Sequence, residues 1–236
     1  MLKIEHFSKS YGKKVAVDDL SLQIAPGEIC GFIGHNGAGK TTTLKACCGI
    51  LEFDSGRIRI DGKDIIRDPI GCKQQLAYVP DNPDLYEFLT GIQYLNFVAD
   101  VYGVSVADRN PRIAHYGELL GMTDDLSLPI SQCSHGMKQK IALIGALIHE
   151  PKLIMLDEPF VGLDPIASHQ LKNVMHEHCS RGGAIFFSTH VLEVAEKLCD
   201  KVAIISGGKL KAFGTMDEIK GDTSLEQVFL ELEGKA

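Results

Sequence analysis

The segment Gly34-His35-Asn36-Gly37-Ala38-Gly39-Lys40-Thr41 fits G-x-x-x-x-G-K-[ST] and constrains this chain more than any other feature. It follows the apolar run Ile29-Cys30-Gly31-Phe32-Ile33 and precedes a helical pattern over 39–51, so it sits at a strand-to-helix turn. Glycines there let backbone N–H groups turn inward as an anion nest, and the helix aims the positive end of its dipole at the same point. The turn therefore suits the phosphate chain of a nucleotide. Gly34, His35, Asn36, Gly37, Ala38 and Gly39 form the cradle, and Lys40 bridges the β- and γ-phosphates. Thr41 places its hydroxyl on Mg²⁺, and Thr42 adds a donor towards the α- and β-phosphates. The bland alternative is a glycine turn capping an ordinary helix.

A loop of this kind needs an acidic partner for the metal on a neighbouring strand. Leu153-Ile154-Met155-Leu156-Asp157-Glu158 supplies it, an apolar run ending in two carboxylates. Asp157 is expected to accept from a water of the Mg²⁺ shell, and Glu158 to face the γ-phosphate as general base for water. Without that loop, the same residues would read as a strand-ending turn. No Asn-Lys-x-Asp guanine reader occurs, which disfavours a regulatory GTPase.

Hydrophobic patterning sets these motifs in an α/β chain. The runs 29–33, 153–156, 184–187 and 202–205 are nearly continuous, as in parallel strands covered on both faces. Helical stretches lie between them at 39–51, 166–179 and 190–199. Segments 2–7, 20–24 and 58–60 read as a small antiparallel layer joined by turns such as Asp61-Gly62. From residue 82 to 150 the period becomes helical, over 88–102, 109–121 and 135–149, with no clear strand. The expected division is an α/β core over 1–81 and 151–221, a helical subdomain over 82–150 and a C-terminal helix over 222–236.

Charge and composition then remove whole classes. Lys and Arg number 24 against 31 Asp and Glu, a net charge of −7, and basic residues gather in no run longer than a pair such as Lys13-Lys14. Nucleic acid is not expected as a partner. The longest apolar stretch, 141–148, is far short of the roughly 20 residues that span a bilayer. The start of the chain has no secretory pattern, so a cytoplasmic location is expected. The seven cysteines are scattered without a C-x-x-C pair and read as reduced, mostly buried thiols.

Four further groups stand in a fixed order with the two phosphate motifs: Ser10-Tyr11-Gly12, Ser134-His135-Gly136-Met137, Gly162-Leu163-Asp164, and His190 after an apolar strand. With them the chain resembles, over nearly its whole length, the nucleotide-binding subunit of ATP-binding-cassette (ABC) transporters. The resemblance implies a P-loop NTPase core with a parallel sheet, a flanking antiparallel β layer and an inserted α-helical subdomain. It makes 134–137 a divergent form of the signature Leu-Ser-Gly-Gly-Gln, Asp164 the D-loop acid, His190 the switch histidine and Tyr11 the ring that stacks on adenine.

The family pattern also implies a homodimer or cassette pair, packed head to tail, in which each ATP lies between one phosphate loop and the other copy's signature. Ser134 and the N–H of Gly136 open a helix, a second anion site whose phosphate would come from that copy. Polytopic membrane permease subunits are the implied partners, with a peripheral location at the inner face of the cell membrane. Segments 85–97 and 224–232 look like those of single-cassette ABC-2-type exporters, which move drugs, lipids, peptides or polysaccharides outward. Residues 85–97 would then line the groove for a permease coupling helix, with subdomain core an equal alternative for any one of them.

Single residues keep their bland readings beside these. Tyr11 can be a β-edge aromatic and His190 a helix N-cap neighbour. His176-Glu177-His178 looks metal-like, but i and i+2 do not share a helix face, so a solvated helix is expected. Cys133 and Met137 depart from the family's Leu and Gln, and Cys133 reads as core, with redox sensitivity the lesser alternative. Asp81, in Ala77-Tyr78-Val79-Pro80-Asp81, stands where the family has a glutamine. It is expected to act as the sensor, reaching Mg²⁺ through water. The competing reading is a soluble cassette ATPase of translation or DNA repair. The first usually carries two cassettes on one chain, and 82–150 is too short for the coiled-coil arm of the second.

Overall fold

The computed structural model describes residues 1–234. A hairpin of β1 (Leu2–Tyr11) and β2 (Lys14–Ile24) leads into β3 (Ile29–Ile33) and α1 (Lys40–Cys47). Next come β4 (Ser55–Ile60), β5 (Lys63–Asp64), α2 (Pro69–Lys73) and β6 (Leu76–Val79). Helices α3 (Gly91–Val101), α4 (Val106–Leu119) and α5 (His135–Ile148) follow with no named strand between them. The chain returns through β7 (Leu153–Asp157), α6 (Pro165–Ser180), β8 (Ala184–Thr189), α7 (Leu192–Leu198), β9 (Lys201–Ser206) and β10 (Lys209–Thr215). It closes with α8 (Met216–Lys220) and α9 (Leu225–Leu232), so residues 235–236 of the expected C-terminal helix lie outside the described residues.

The strands form two sheets, β2-β1-β4-β5 and β10-β9-β3-β8-β7-β6. In the larger sheet β9, β3, β8, β7 and β6 run parallel, and only β10 is antiparallel to its neighbour. Every residue of β3, β7 and β8 is buried. The reason lies in the side-chain alternation of a strand. Ile33, Leu156, Phe187 and Ile204 pack into one hydrophobic cluster with the helical segment, α6 and α7. Their neighbours Phe32, Met155, Phe186 and Ala203 pack into the other, with α1 and the antiparallel sheet. A strand apolar on both faces therefore becomes the middle layer, and its C-terminal ends open where β3 meets α1.

The α/β class, the parallel sheet, the antiparallel layer and the helical stretch are as the sequence leads one to expect. The strand β10 carries no continuous apolar run, being a half-buried edge strand, and patterning did not reveal it. Helix α3 starts where the chain supplies a capping box: Thr90 Oγ1 accepts from the Gln93 amide at 3.3 Å, and Gln93 Oε1 accepts from the Thr90 amide at 2.9 Å. At the far end of α5, His149 Nε2 lies 3.2 Å from the Leu76 carbonyl and its ring stacks on Tyr102 at 3.7 Å, tying the helical stretch to β6. All seven cysteines are free and buried, and burial pushes the Cys179 thiol up to about 12. Among the described residues, no helix is long and apolar enough to cross a membrane.

Candidate nucleotide site

The phosphate loop is pinned from two sides. A Cβ on Gly34 would stand 2.4 Å from the Ile205 carbonyl oxygen, so β9 leaves no room for a side chain. Gly39 has φ 112°, and a Cβ there would stand 2.7 Å from the Ala16 carbonyl oxygen. Only glycine meets both the conformation and the space. The Gly208 amide donates to the Ala38 carbonyl at 3.2 Å, anchoring the loop to the β9–β10 turn. Gly39 then serves as the N-cap of α1 with no side-chain cap, and the first turn holds no acidic residue. Helical N–H groups left without a capping side chain are the donors a phosphate requires.

Lys40 is 5% exposed, and its Nζ donates to the carbonyls of Gly34 at 2.5 Å and His35 at 3.3 Å. The same ammonium lies 3.2 Å from Glu158 Oε1, an ionic contact off the hydrogen-bonding direction that leaves Oε1 buried without a hydrogen bond. Glu158 adopts φ 48°, the left-handed region unusual for a non-glycine residue. Its amide donates to Ser188 Oγ at 2.9 Å, and Ser188 Oγ donates to Asp157 Oδ1 at 2.5 Å. His190 Nδ1 lies 2.9 Å from Glu158 Oε2. Lys40, Asp157, Glu158 and His190 are thus one connected cluster.

Lys40, Asp157 and Glu158 of that cluster line a cleft of about 460 Å³ bordered also by Tyr11, Lys14, His35, Asn36, Gly37, Gly39, Thr41, Thr42 and Asp81, with His190 just outside the lining. Tyr11 is 51% exposed at the rim, and Lys9 Nζ lies 5.4 Å from its ring centre. Asp81, Asp157 and Glu158 line the cleft together with Lys14 and Lys40. Among the described residues no group of three His, Cys, Asp or Glu encloses a metal-sized point. Mg²⁺ needs none, because it keeps its waters and binds through a carboxylate, a hydroxyl and the substrate's phosphates. Thr41, Asp157 and Asp81 offer that donor set, so the residues present fit MgATP.

Ser134, Gly136 and Asp164 do not border this cleft. Ser134 caps α5, its hydroxyl accepting from the Met137 amide at 3.3 Å. Asp164 caps α6, accepting from the Ala167 amide at 2.8 Å. The two turns are neighbours: a Cβ on Gly162 would stand 3.6 Å from His135 Cδ2, and one on Gly136 would stand 3.9 Å from Leu163 Cδ2. Together they form a second, exposed surface. Cys133 is core, and Met137 is half-buried against the same cluster. His176 is exposed as a solvated helix requires, whereas the His178 ring turns inward against Gly183.

Sequence reasoning passed over Ser188, which joins the cluster, and Tyr78, which lies near it. Ser188 bridges Asp157 and Glu158, and the available signal was a Ser-Thr pair ending an otherwise apolar strand. Tyr78 has a buried hydroxyl with no hydrogen-bond partner among the described residues, and burial, followed by the charge of Asp157, pushes its ionisation up. In 85–97 the alternatives separate residue by residue. Leu85 and Leu95 are core, while Tyr86, Ile92, Phe97 and above all Phe88, 83% exposed, face out. Tyr86 stands 5.5 Å from Phe97 and 5.8 Å from Phe88, forming an aromatic patch beside a groove of about 240 Å³ lined by Tyr78, Pro83, Leu85, Tyr94, Tyr102 and His149.

A middle sheet with a phosphate loop at the open end of β3, a carboxylate pair on β7 and a helical insertion before it define a nucleotide-hydrolysing cassette. A family model described as ABC transporter matches residues 17–161, more than half of the chain, and the chain belongs to that family. It is 35% identical to the ABC-type transporter ATP-binding protein EcsA of Bacillus subtilis, over 98% of this chain and 96% of that one. The linearmycin resistance ATP-binding protein LnrL, also of Bacillus subtilis, is 34% identical over 96% of this chain and 74% of its own length. A solved ATP-binding subunit of an ABC transporter superimposes with a TM-score of 0.94 at 36% identity, covering 99% of both chains. The chain is an ATP-binding, ATP-hydrolysing subunit of an ABC transporter, and the reading as a soluble translation or repair ATPase is not favoured.

Proposed function

We propose that this subunit powers export through separate polytopic membrane subunits, working as a head-to-tail pair at the inner face of the cell membrane. The observation that carries the proposal is the connected cluster of Lys40, Asp157, Ser188, Glu158 and His190 beneath the phosphate loop. Export is supported by the resistance function in the name of LnrL and by the exposed aromatic patch at 86–97, which fits the coupling helix of a permease. Residues 1–81 and 151–221 would form the ATP-binding core, 82–150 the part that meets the permease, and 222–236 a C-terminal element.

Each residue has a defined task in this reading. The N–H groups from His35 to Thr42 hold the phosphates, and Tyr11 stacks on the adenine. Lys40, released from the Gly34 and His35 carbonyls, turns to the β- and γ-phosphates. Thr41, Asp157 and Asp81 would hold Mg²⁺, which supplies charge neutralisation on the phosphate oxygens. Glu158, with Oε1 freed from Lys40, takes a proton from the attacking water. His190, already on Oε2, donates to the γ-phosphate and keeps the carboxylate aimed. Ser134, the Gly136 amide and Asp164 complete the site of the other copy.

Glu158→Gln tests the assignment. It should bind MgATP with unchanged affinity, lose turnover by roughly 10²–10⁴-fold and accumulate an ATP-bound dimer in size-exclusion chromatography. A monomeric variant with full activity would overturn both the base and the pairing.

A further inference from the structure

The C-terminal helix α9 reaches the back of the phosphate loop. Phe229, 6% exposed, presents its ring to the His35 imidazole at a centroid distance of 5.0 Å and an angle of 70°. Glu233, just beyond the helix, places Oε2 3.5 Å from His35 Nε2 with its side chain 12% exposed. Its Oε1 is buried and has no hydrogen-bond partner among the described residues. The His35 side chain is itself 55% exposed, so the contact sets a buried carboxylate and a buried ring edge against one side of a half-exposed imidazole.

His35 matters because its backbone belongs to the nest. Its carbonyl accepts from the Ala38 amide at 3.1 Å and from Lys40 Nζ at 3.3 Å. Holding its side chain therefore fixes the turn that presents the N–H groups. Neither Phe229 nor Glu233 borders the nucleotide cleft, so both act through His35. The other end of α9 is fastened too. The Leu225 amide donates to Glu196 Oε2 at 3.2 Å, and Glu196 Oε1 pairs with Lys220 at 2.7 Å. Glu196 lies on α7, the helix that follows His190. Helix α9 thus braces the phosphate loop against the element behind the switch histidine.

We propose that Phe229 and Glu233 are positioning residues for ATP binding, clamping His35 so that the phosphate loop is ordered before the nucleotide arrives. Preorganisation of this kind raises affinity by removing the ordering cost from the binding step. Simple charge repulsion predicts the opposite sign, since removing an acid near a polyphosphate should tighten binding. The inference rests on ATP occupying this loop, and the experiment separates the two.

MgATP affinity of the full chain is measured by calorimetry. Phe229→Ala, Glu233→Ala and His35→Ala should each weaken it by roughly three- to tenfold, and the double change of His35 and Glu233 should be no worse than either alone. The chain has no tryptophan, so Phe229→Trp installs a single indole beside the loop whose emission should shift on MgATP addition with a midpoint matching the calorimetric one. Unchanged or tighter binding by Glu233→Ala, additive losses in the double variant, or an indole blind to MgATP would each overturn the clamp. Lys40→Ala is the control. If it still binds MgATP, the site reading itself fails. If it does not, a failure of the Glu233 variants falls on the clamp alone.

Discussion

The phosphate loop and the signature turn both open a helix with small residues, yet their surroundings differ. Lys40 is buried, and its ammonium is held by two carbonyls and a carboxylate. Ser134 and His135 are exposed, and the Ser134 hydroxyl is engaged only with the amide of its own helix turn. The first turn shares its cleft with Lys14, Asp81, Asp157 and Glu158, groups that can act on a phosphate or its metal. The second lies beside the turn at Gly162 to Asp164 and does not border that cleft. On the proposed reading, a single copy carries one ready half-site and one half-site that acts on a nucleotide brought by the other copy.

The largest effect comes from breaking the ready half. Lys40→Ala removes the cation facing the phosphates and leaves Glu158 buried without its counter-charge. It should cost about 3 kcal/mol or more of nucleotide stabilisation, roughly a hundredfold, with ATPase activity lost. Calorimetry of MgATP binding checks it, and near-normal affinity would mean that the loop is not a phosphate site.

Ser134→Ala should act on the other half alone. Removing the cap costs about 1 kcal/mol of stability, visible as a small fall in melting temperature. MgATP binding by the isolated chain should stay within about twofold, because Ser134 does not border the cleft. ATP-dependent pairing should be lost, and mixing this variant with Lys40→Ala should restore it. Such a mixture contains one site made of two intact halves. If mixing restores nothing, the halves are not shared between copies.

Asp81 comes next in size, since it borders the ready half without joining the Lys40 cluster. Asp81→Ala should lower permease-stimulated ATPase by roughly three- to tenfold, with Asp81→Asn in between, and both should raise the Mg²⁺ concentration for half-maximal rate. Stimulated activity and Mg²⁺ dependence unchanged in both would remove Asp81 from the metal site.

The contrast between the halves also separates what the sequence displays from what only folding assembles. The residues from Gly34 to Thr42, and Asp157 with Glu158, are legible because their chemistry lies in consecutive residues at a strand end. The parallel sheet is legible because both faces of β3, β7 and β8 are apolar. Ser188 was not, because its role comes from the register that sets it beside Asp157 on the adjacent strand. Tyr78 was not, because a tyrosine in an apolar strand gives no hint of where its hydroxyl will be buried. The docking of Phe229 and Glu233 on His35 joins the end of the chain to its first βα turn, and no local pattern records it. Segment 85–97 mixes core and surface within a single turn of helix, so its pattern alone could not separate them.

The smallest predicted effect concerns the joint between α5 and β6. His149 ends α5, and since a carbonyl can only accept, its Nε2 carries the proton donated to Leu76 O at 3.2 Å. Burial, aided by the nearby charge of Arg112, outweighs that bond and holds the imidazole pKa down at about 4. An unfolded histidine titrates near 6.5. Between these values the unfolded chain binds the proton and the folded chain does not, so stability is full above about 6.5 and declines as the pH falls towards 4. His178 is shifted in the same direction by burial, so the wild-type slope contains both groups. His149→Phe keeps a ring against Tyr102 but cannot titrate. It should lower the melting temperature at pH 7.5 through the lost bond to Leu76, and flatten the fall between pH 6.5 and 4 by up to about one proton's worth of slope. An unchanged slope would mean that acid acts elsewhere, and that the joint between β6 and α5 does not depend on a neutral imidazole.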